Sequence, residues 1–493
     1  MKKLIKKVSI YSFLTINLLH ISCDDFLEVE PDLQVSISEQ LATKNGVLEA
    51  YIGVYTQTED LFSSIAILYA DLQGGNIAFT PKISADNNGI KIPNSASTNI
   101  ENSYSFTDDF RESDYVGFYN TAYTIINQIN TILEQKDSYS FFPKKEQNQL
   151  NAELLTIRAL VHYQVSLFYA QNYNFTANAS HIGIIYNTNV LTAGEDFPFR
   201  ISVSETYNLL QNDLDSALNL YTNTRLVSGP EYSYFNATST KALYARIALQ
   251  MNDWQKAKNF ADDVIINSGV TLTSNKNYIN EWKKNRLPIN EILYEFPAPI
   301  DRKDDQAAST AAIFYRFKNK TDYAPFVASG DLLGLYNDTD IRKNLFIRKN
   351  LPTLKNTITT EDPYYFTKKF QNEAGVPLLR LSELYLIRAE ANVRLTNSNS
   401  ALVDLNIIRE RAGLNALTSV VNILEEIFLE RRRELAFEGQ LLFDIARFKK
   451  NIIRKQGCLA MACNLEYPSN FFVLPIPKKS IILNQNIKQN DGY

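Results

Sequence analysis

Apolar residues recur along much of this chain at the spacing of one helix face. Leu41, Val47, Leu48, Tyr51 and Val54 or Tyr55 predict a first helix over 39–58. Phe118, Tyr119, Ala122, Ile125, Ile126 and Ile129 predict a second over 115–134, and Leu154, Ile157, Val161, Val165 and Phe168 a third over 147–169. Ser202 with Glu205 three positions on reads as a capping box, and Val203, Tyr207, Leu210, Leu214, Ala217 and Leu218 continue as its apolar stripe. Segments 240–249 and 254–266 form a close helical pair across a four-residue turn. Small Ala242, Ala245, Ala257 and Ala261 stand where the two helices cross, as a tetratricopeptide-type unit requires.

Two stretches interrupt this period. Residues 71–107 are rich in Gly, Asn, Ser and Pro and read as long loops with one hairpin. From 269 to 376, Pro288, Pro297, Pro299, Pro325, Pro352 and Pro363 break any helix, while alternation over 292–296 reads as a strand. Helices resume over 379–394, 400–411 and 421–436. The expected class is mostly α with a loop-rich region, and long loops on a stiff frame are where binding usually resides.

The N-terminus changes the picture. Lys2, Lys3, Lys6 and Lys7 precede an uncharged stretch over 8–22, followed by Cys23, Asp24 and Asp25. A basic start, a short apolar run and small Ser22 before the cut describe a secretory signal. A cysteine directly after that cut is similar to a lipoprotein signal, so residues 1–22 are expected to be removed and Cys23 lipidated, with 23–38 as a polar leader. Cleavage would make the formal charge of -4 more negative, which argues against a nucleic-acid surface. Cys458 and Cys463 could close a small disulfide or stay free, and with His162 and His181 as the mature chain's histidines a zinc site has few ligands. Loop carboxylates and amides could still hold a structural calcium; no cofactor is expected.

The last 120 or so residues carry the most specific strings. These are the helix Arg380-Leu381-Ser382-Glu383-Leu384-Tyr385-Leu386-Ile387-Arg388-Ala389-Glu390, the Arg411-Ala412-Gly413 stop, and Glu430-Arg431-Arg432-Arg433-Glu434-Leu435-Ala436-Phe437-Glu438-Gly439. The tail Leu474-Pro475-Ile476-Pro477 follows. With the Cys23-Asp24-Asp25-Phe26-Leu27-Glu28 leader, the chain resembles the SusD/RagB family of outer-membrane nutrient-binding lipoproteins. His20 and the Leu441-Leu442-Phe443-Asp444-Ile445 run depart from that family's pattern, though Asp444 and Arg447 keep it.

The resemblance implies a mostly α fold of four tetratricopeptide-type helix pairs in a right-handed superhelical scaffold, over about 39–60, 115–268 and 378–440. A loop-rich subregion with a few short strands, about 70–110 and 269–376, would cap it, and an extended tail would cover 465–493, all within one domain over 39–493. It also implies a lipid-anchored protein on the extracellular face of the outer membrane, where it captures glycan for a SusC-like TonB-dependent transporter.

Sugar rings present C–H patches bordered by hydroxyls, so exposed aromatic rings beside amides suit them. The 28 tyrosines and 28 phenylalanines supply rings in plenty. From the loops, Asn76, Phe79, Trp282, Tyr315, Tyr323 and Phe326 are the candidate ligand residues. Arg380, Glu383, Glu390, Arg431, Arg432, Arg433 and Glu434 read as structural ion pairs and transporter-facing groups. No Gly-x-Ser-x-Gly elbow, His-Glu-x-x-His or phosphate loop is present, so no enzyme is expected. The alternatives are a tetratricopeptide-type peptide-binding scaffold or an importer of a non-sugar nutrient.

Overall fold

Ser202 Oγ accepts from the Glu205 N–H at 3.1 Å, and the Glu205 carboxylate accepts from the Ser202 N–H at 3.0 Å, so the capping box is formed. Asn236 and Ser239 form a second. In the computed structural model the described residues are 36–493 except 84–90, 93–99, 112, 114, 283–287, 298–309, 321, 356–357, 371–374, 420, 457 and 461. Cys23, the signal and the leader up to residue 35 lie outside them.

The principal helices are α1 (Lys44–Leu61), α2 (Ile67–Gly74), α3 (Val116–Glu134), α4 (Lys144–Tyr169), α5 (Val203–Leu220), α6 (Ala237–Gln250), α7 (Trp254–Asn267), α8 (Leu381–Arg394), α9 (Ser398–Arg411), α10 (Ile423–Glu434) and α11 (Leu441–Arg447). They pack largely in series: α3 on α4, α4 on α5, α6 on α7, α7 on α8, and α8 on α9 and α10. Ala242, Ala245, Ala257 and Ala261 are fully buried at the α6–α7 contact, where small side chains let the helices approach closely. The turn between them places Asn252 at φ 61°, a conformation asparagine tolerates. No helix among the described residues is long and apolar enough to cross a membrane.

The last four residues of helix α2 occupy ground read from the sequence as the start of a loop. All eight of its residues are buried, and it packs on α11 near the other end of the chain. The strands of three residues or more are β1 (Ile77–Phe79), β2 (Ile292–Phe296), β3 (Phe326–Ala328), β4 (Phe346–Lys355), β5 (Ile358–Thr367) and β6 (Val376–Arg380). They pair antiparallel in two-stranded sheets: β1 with β3, β2 with β6, and β4 with β5. β2 forms where alternation predicted it. The β4–β5 hairpin, ten residues in each strand, was hidden by Pro352 and Pro363, which face Glu361 and Asn350. Those two pairs have the same parity, so one register lets both missing N–H groups face an open edge. Cys458 and Cys463 are joined in a disulfide.

A buried charge network fastens the strand layer to the helices. Arg380, at the end of β6, contacts Glu291, Glu434 at 3.0 Å and Glu438 at 2.8 Å. Arg342 reaches Asp340, Glu430 and Glu434 at 2.8, 2.7 and 3.0 Å, and Arg411 reaches Glu291 and Glu434 at 2.9 and 2.6 Å. Arg246 binds Glu383, Arg431 binds Asp444, and Arg447 binds Glu390 and Asp444. The charged positions of the C-terminal strings are thus ion pairs of the interior. Arg432 instead donates to Asn76 Oδ1 at 2.8 Å.

Candidate functional site

A cleft of about 710 Å³ opens between the N-terminal halves of α1 and α4, the 221–236 loop, the end of α7 and β2. The loop runs Tyr221-Thr222-Asn223-Thr224-Arg225-Leu226-Val227-Ser228-Gly229-Pro230-Glu231-Tyr232-Ser233-Tyr234-Phe235-Asn236, tied at its far end by the Asn236 cap of α6. Its near end is tied too: the Thr222 N–H donates to Gln149 Oε1 at 3.1 Å and the Thr222 hydroxyl to the Lys145 carbonyl at 2.8 Å. Tyr232 and Tyr234 are half-buried, whereas Asn223, Arg225 and Glu231 are exposed along the rim.

Tyr234 is held from several sides. Its ring stacks on Tyr51 at 6.5 Å and meets Tyr55 edge-on at 5.1 Å. Gly229 sits at φ +149°, and a Cβ there would lie 2.8 Å from the Tyr234 ring, so only glycine lets the ring lie against the loop. Tyr232 leans on the buried cluster of Tyr278, Trp282, Ile289, Ile292 and Leu345. Phe235 stacks on Tyr294 at 4.0 Å, and its N–H donates to Tyr55 Oη at 3.0 Å.

Beneath the rings lies Glu153. It accepts hydrogen bonds from the Tyr51 and Tyr55 hydroxyls at 2.6 and 2.5 Å and from Gln149 Nε2 at 2.8 Å. Burial pushes this carboxyl up to about 7, against the lowering effect of those three donors. Burial and Glu153 together push the Tyr51 and Tyr55 hydroxyls well above their ordinary value, so both stay protonated donors. The cleft therefore offers half-buried rings over a rigid hydrogen-bonded floor, bordered by amides, a guanidinium and a carboxylate. Such a lining suits a ligand with apolar faces and polar edges.

None of the six residues singled out from the sequence lines this cleft. Phe79, Trp282, Tyr315 and Phe326 are buried rings, and their faces and edges are occupied by neighbours. Phe79 meets Tyr104 at 4.8 Å and Phe326 at 5.4 Å; Tyr315 stacks on Phe370 at 5.4 Å and meets Phe437 at 5.0 Å. Lys369 and Arg380 stand 4.9 and 5.4 Å from the Trp282 ring, so its polar sequence setting conceals a contact with the charge network. Asn76, 1% exposed, donates to Asp71 at 2.5 Å and accepts from Arg432. Tyr323 alone is half-buried; it stacks on Phe317 at 6.5 Å and donates to the Pro81 carbonyl at 3.1 Å. The expectation of open rings is corrected for Phe79, Trp282, Tyr315 and Phe326, which are packed inside the protein, whereas Tyr323 keeps part of its surface. The signal that points to the cleft is the 221–236 loop, where Tyr, Phe, Asn and Arg crowd between two capped helices.

Among the described residues no group of three or more His, Cys, Asp or Glu is placed to hold a metal ion. His162 is buried and stacks on Tyr186 at 3.8 Å. Burial, with Arg158 adding to it, pushes that imidazole down to about 3.

Residues 244–493 match the SusD family, and residues 25–252 match a family described as starch-binding and associating with the outer membrane. The chain belongs to the SusD family. It is similar to a SusD superfamily protein of Bacteroides thetaiotaomicron, with a TM-score of 0.77 at 23% identity over 91% of this chain and 99% of that one. SusD-like protein P38 of Formosa agariphila is 21% identical over 92% of this chain and 93% of its own length. The starch-binding protein SusD of B. thetaiotaomicron is 34% identical over 128 residues, a stretch covering 24% of this chain and 22% of that protein. SusD-family proteins are non-catalytic, and this chain is one of them. Membership supports an outer-membrane setting and a glycan-binding role in nutrient capture.

Proposed function

We propose that this chain is a cell-surface lipoprotein, anchored through Cys23, that captures oligosaccharide in the tyrosine cleft and hands it to a SusC-like TonB-dependent transporter. The observation that carries this reading is the pair Tyr232 and Tyr234, half-buried and fixed over a hydrogen-bonded floor, with Asn223, Arg225 and Glu231 exposed beside them. A sugar ring lies on a tyrosine face while its hydroxyls meet the rim. Each stack contributes about 0.5–1.5 kcal/mol beyond area burial. Two such stacks, after the cost of association, give weak affinity, which suits a protein that must release its cargo. The serial helix pairs act as tetratricopeptide-type units bracing this loop, with residues 39–493 as one domain. A glycan array probed with residues 24–493, wild type and Tyr234→Ala, tests the reading. Binding to glycans that Tyr234→Ala weakens supports it; binding to peptides and to no glycan sinks it.

A further inference from the structure

Four large apolar side chains stand exposed side by side, and none of them lines the tyrosine cleft. Phe197 and Phe199 are 46% and 65% exposed, and Ile482 and Leu483, on the short helix Lys478–Leu483, are 63% and 65% exposed. Two asparagines hold the segments together. Asn484 Nδ2 donates to the Pro198 carbonyl at 2.7 Å and Asn486 Nδ2 to the Phe197 carbonyl at 2.7 Å. Arg200, buried beside Phe199, donates to the Gly183, Tyr169 and Lys488 carbonyls at 2.7, 2.9 and 2.8 Å and to Asn490 Oδ1 at 2.7 Å. A backbone pinned this way keeps the four side chains at the surface, and apolar groups gathered there mark an interaction face.

The charges around this face are divided between its ends. Residue 484 meets 198 and residue 486 meets 197, so the two segments run in opposite directions. The start of the helix and residues 195–196 therefore lie at opposite ends. Lys478 and Lys479, one turn before Ile482 and Leu483, are exposed and form no ion pair among the described residues. Glu195 is exposed and equally unpaired, and Asp196 beside it accepts from the Thr192 N–H at 2.7 Å. The Lys478 N–H donates to the Phe110 carbonyl at 2.8 Å, which brings Asp109 and Arg111 alongside, but these two cancel, as do Lys488 and Asp491.

We infer that this face binds a second copy of the chain across a twofold axis, the lysine edge of each copy lying on the acidic edge of the other. A twofold interface presents the same patch from both sides, so the patch must complement itself. A face that is basic at one end, apolar in the middle and acidic at the other does so after half a turn. An anionic bilayer would suit Lys478 and Lys479 but meet Glu195 and Asp196, and a cationic partner would meet the reverse conflict. The inference goes beyond glycan capture and stands if the tyrosine-cleft reading fails.

The test is sedimentation equilibrium of residues 24–493 over micromolar loading concentrations. The expected result is a reversible monomer–dimer equilibrium, which Phe199→Ser together with Leu483→Ser weakens at least about tenfold. Lys479→Glu alone and Glu195→Lys alone each weaken it about threefold to tenfold, because like charges then face each other, and the two combined in one chain restore it. That rescue is specific to a face that meets its own copy. All four positions are exposed, so each variant is expected to melt as the parent does. A protein monomeric at every concentration, or a dimer indifferent to either pair of substitutions, overturns the inference.

Discussion

Glu153 and Glu434 are both buried acids on helices, yet their surroundings drive them in opposite directions. Glu153 is ringed by two tyrosine hydroxyls and an amide, and burial wins, pushing it up to about 7. Burial pushes Glu434 up as well, but Arg411, Arg380 and Arg342 outweigh it and hold the carboxyl well below its ordinary range. The first surrounding makes a floor whose carboxyl holds a proton more readily than a free one under the tyrosine cleft. The second makes a charged lock between the strand layer and the helices. Neutral donors tolerate loss of charge; three arginines packed around one acid do not.

Breaking the lock gives the largest expected effect. Glu434→Ala leaves Arg342, Arg380 and Arg411 facing one another without their shared partner. Denaturant unfolding is expected to show a loss of about 3–5 kcal/mol. A loss under about 1 kcal/mol would mean that the network is not what joins the two layers.

The floor responds to pH instead. Because Glu153 is raised above its unfolded value of 4.5, the folded state holds its proton more tightly. That contribution is complete below about pH 4.5 and is lost as pH rises through about 7. Glu295 is raised to about 8 by burial and adds a component extending to higher pH. Glu153→Gln is expected to remove about 3 kcal/mol of the fall in unfolding free energy across the lower window. Unfolding curves at stepped pH check this, and an unchanged slope would contradict it.

Smaller effects sharpen the contrast. Gly229→Ala forces an unfavourable φ and a contact with Tyr234. It is expected to cost about 1–2 kcal/mol and to weaken glycan binding, read by melting and by titration. Ser202→Ala touches neither hub and removes only a cap, so a loss of about 1 kcal/mol with unchanged glycan affinity is expected.

Much of the helical frame was legible because its signals are local. The Ser202–Glu205 box, the alanines of α6 and α7 and the stop at Gly413 each act within a few residues of chain. The β4–β5 hairpin was not, because whether a proline breaks a strand depends on which edge its missing N–H faces. Nor was the fate of the loop rings. Polar neighbours around Trp282 suggested exposure, but Lys369 and Arg380 reach it from distant parts of the chain. The ion-pair part of the reading of the charged C-terminal strings holds for Arg380, Glu383, Glu390, Arg431, Arg433 and Glu434, because their alternation implies partners, while Arg432 meets Asn76 instead. Which acid stays charged depends on how many arginines converge from elsewhere. The cleft loop was overlooked since Tyr232 and Tyr234 lie outside the two long irregular regions, between two helices that cap cleanly.

The most direct test of the central claim is titration of wild-type, Tyr234→Ala and Trp282→Phe proteins with the best glycan from the array. If the tyrosine cleft is the capture site, Tyr234→Ala weakens binding about tenfold, while Trp282→Phe, a change inside the core, leaves affinity within about twofold. Unchanged affinity in Tyr234→Ala, with loss in Trp282→Phe, would move the site to the surroundings of Trp282 and contradict this account.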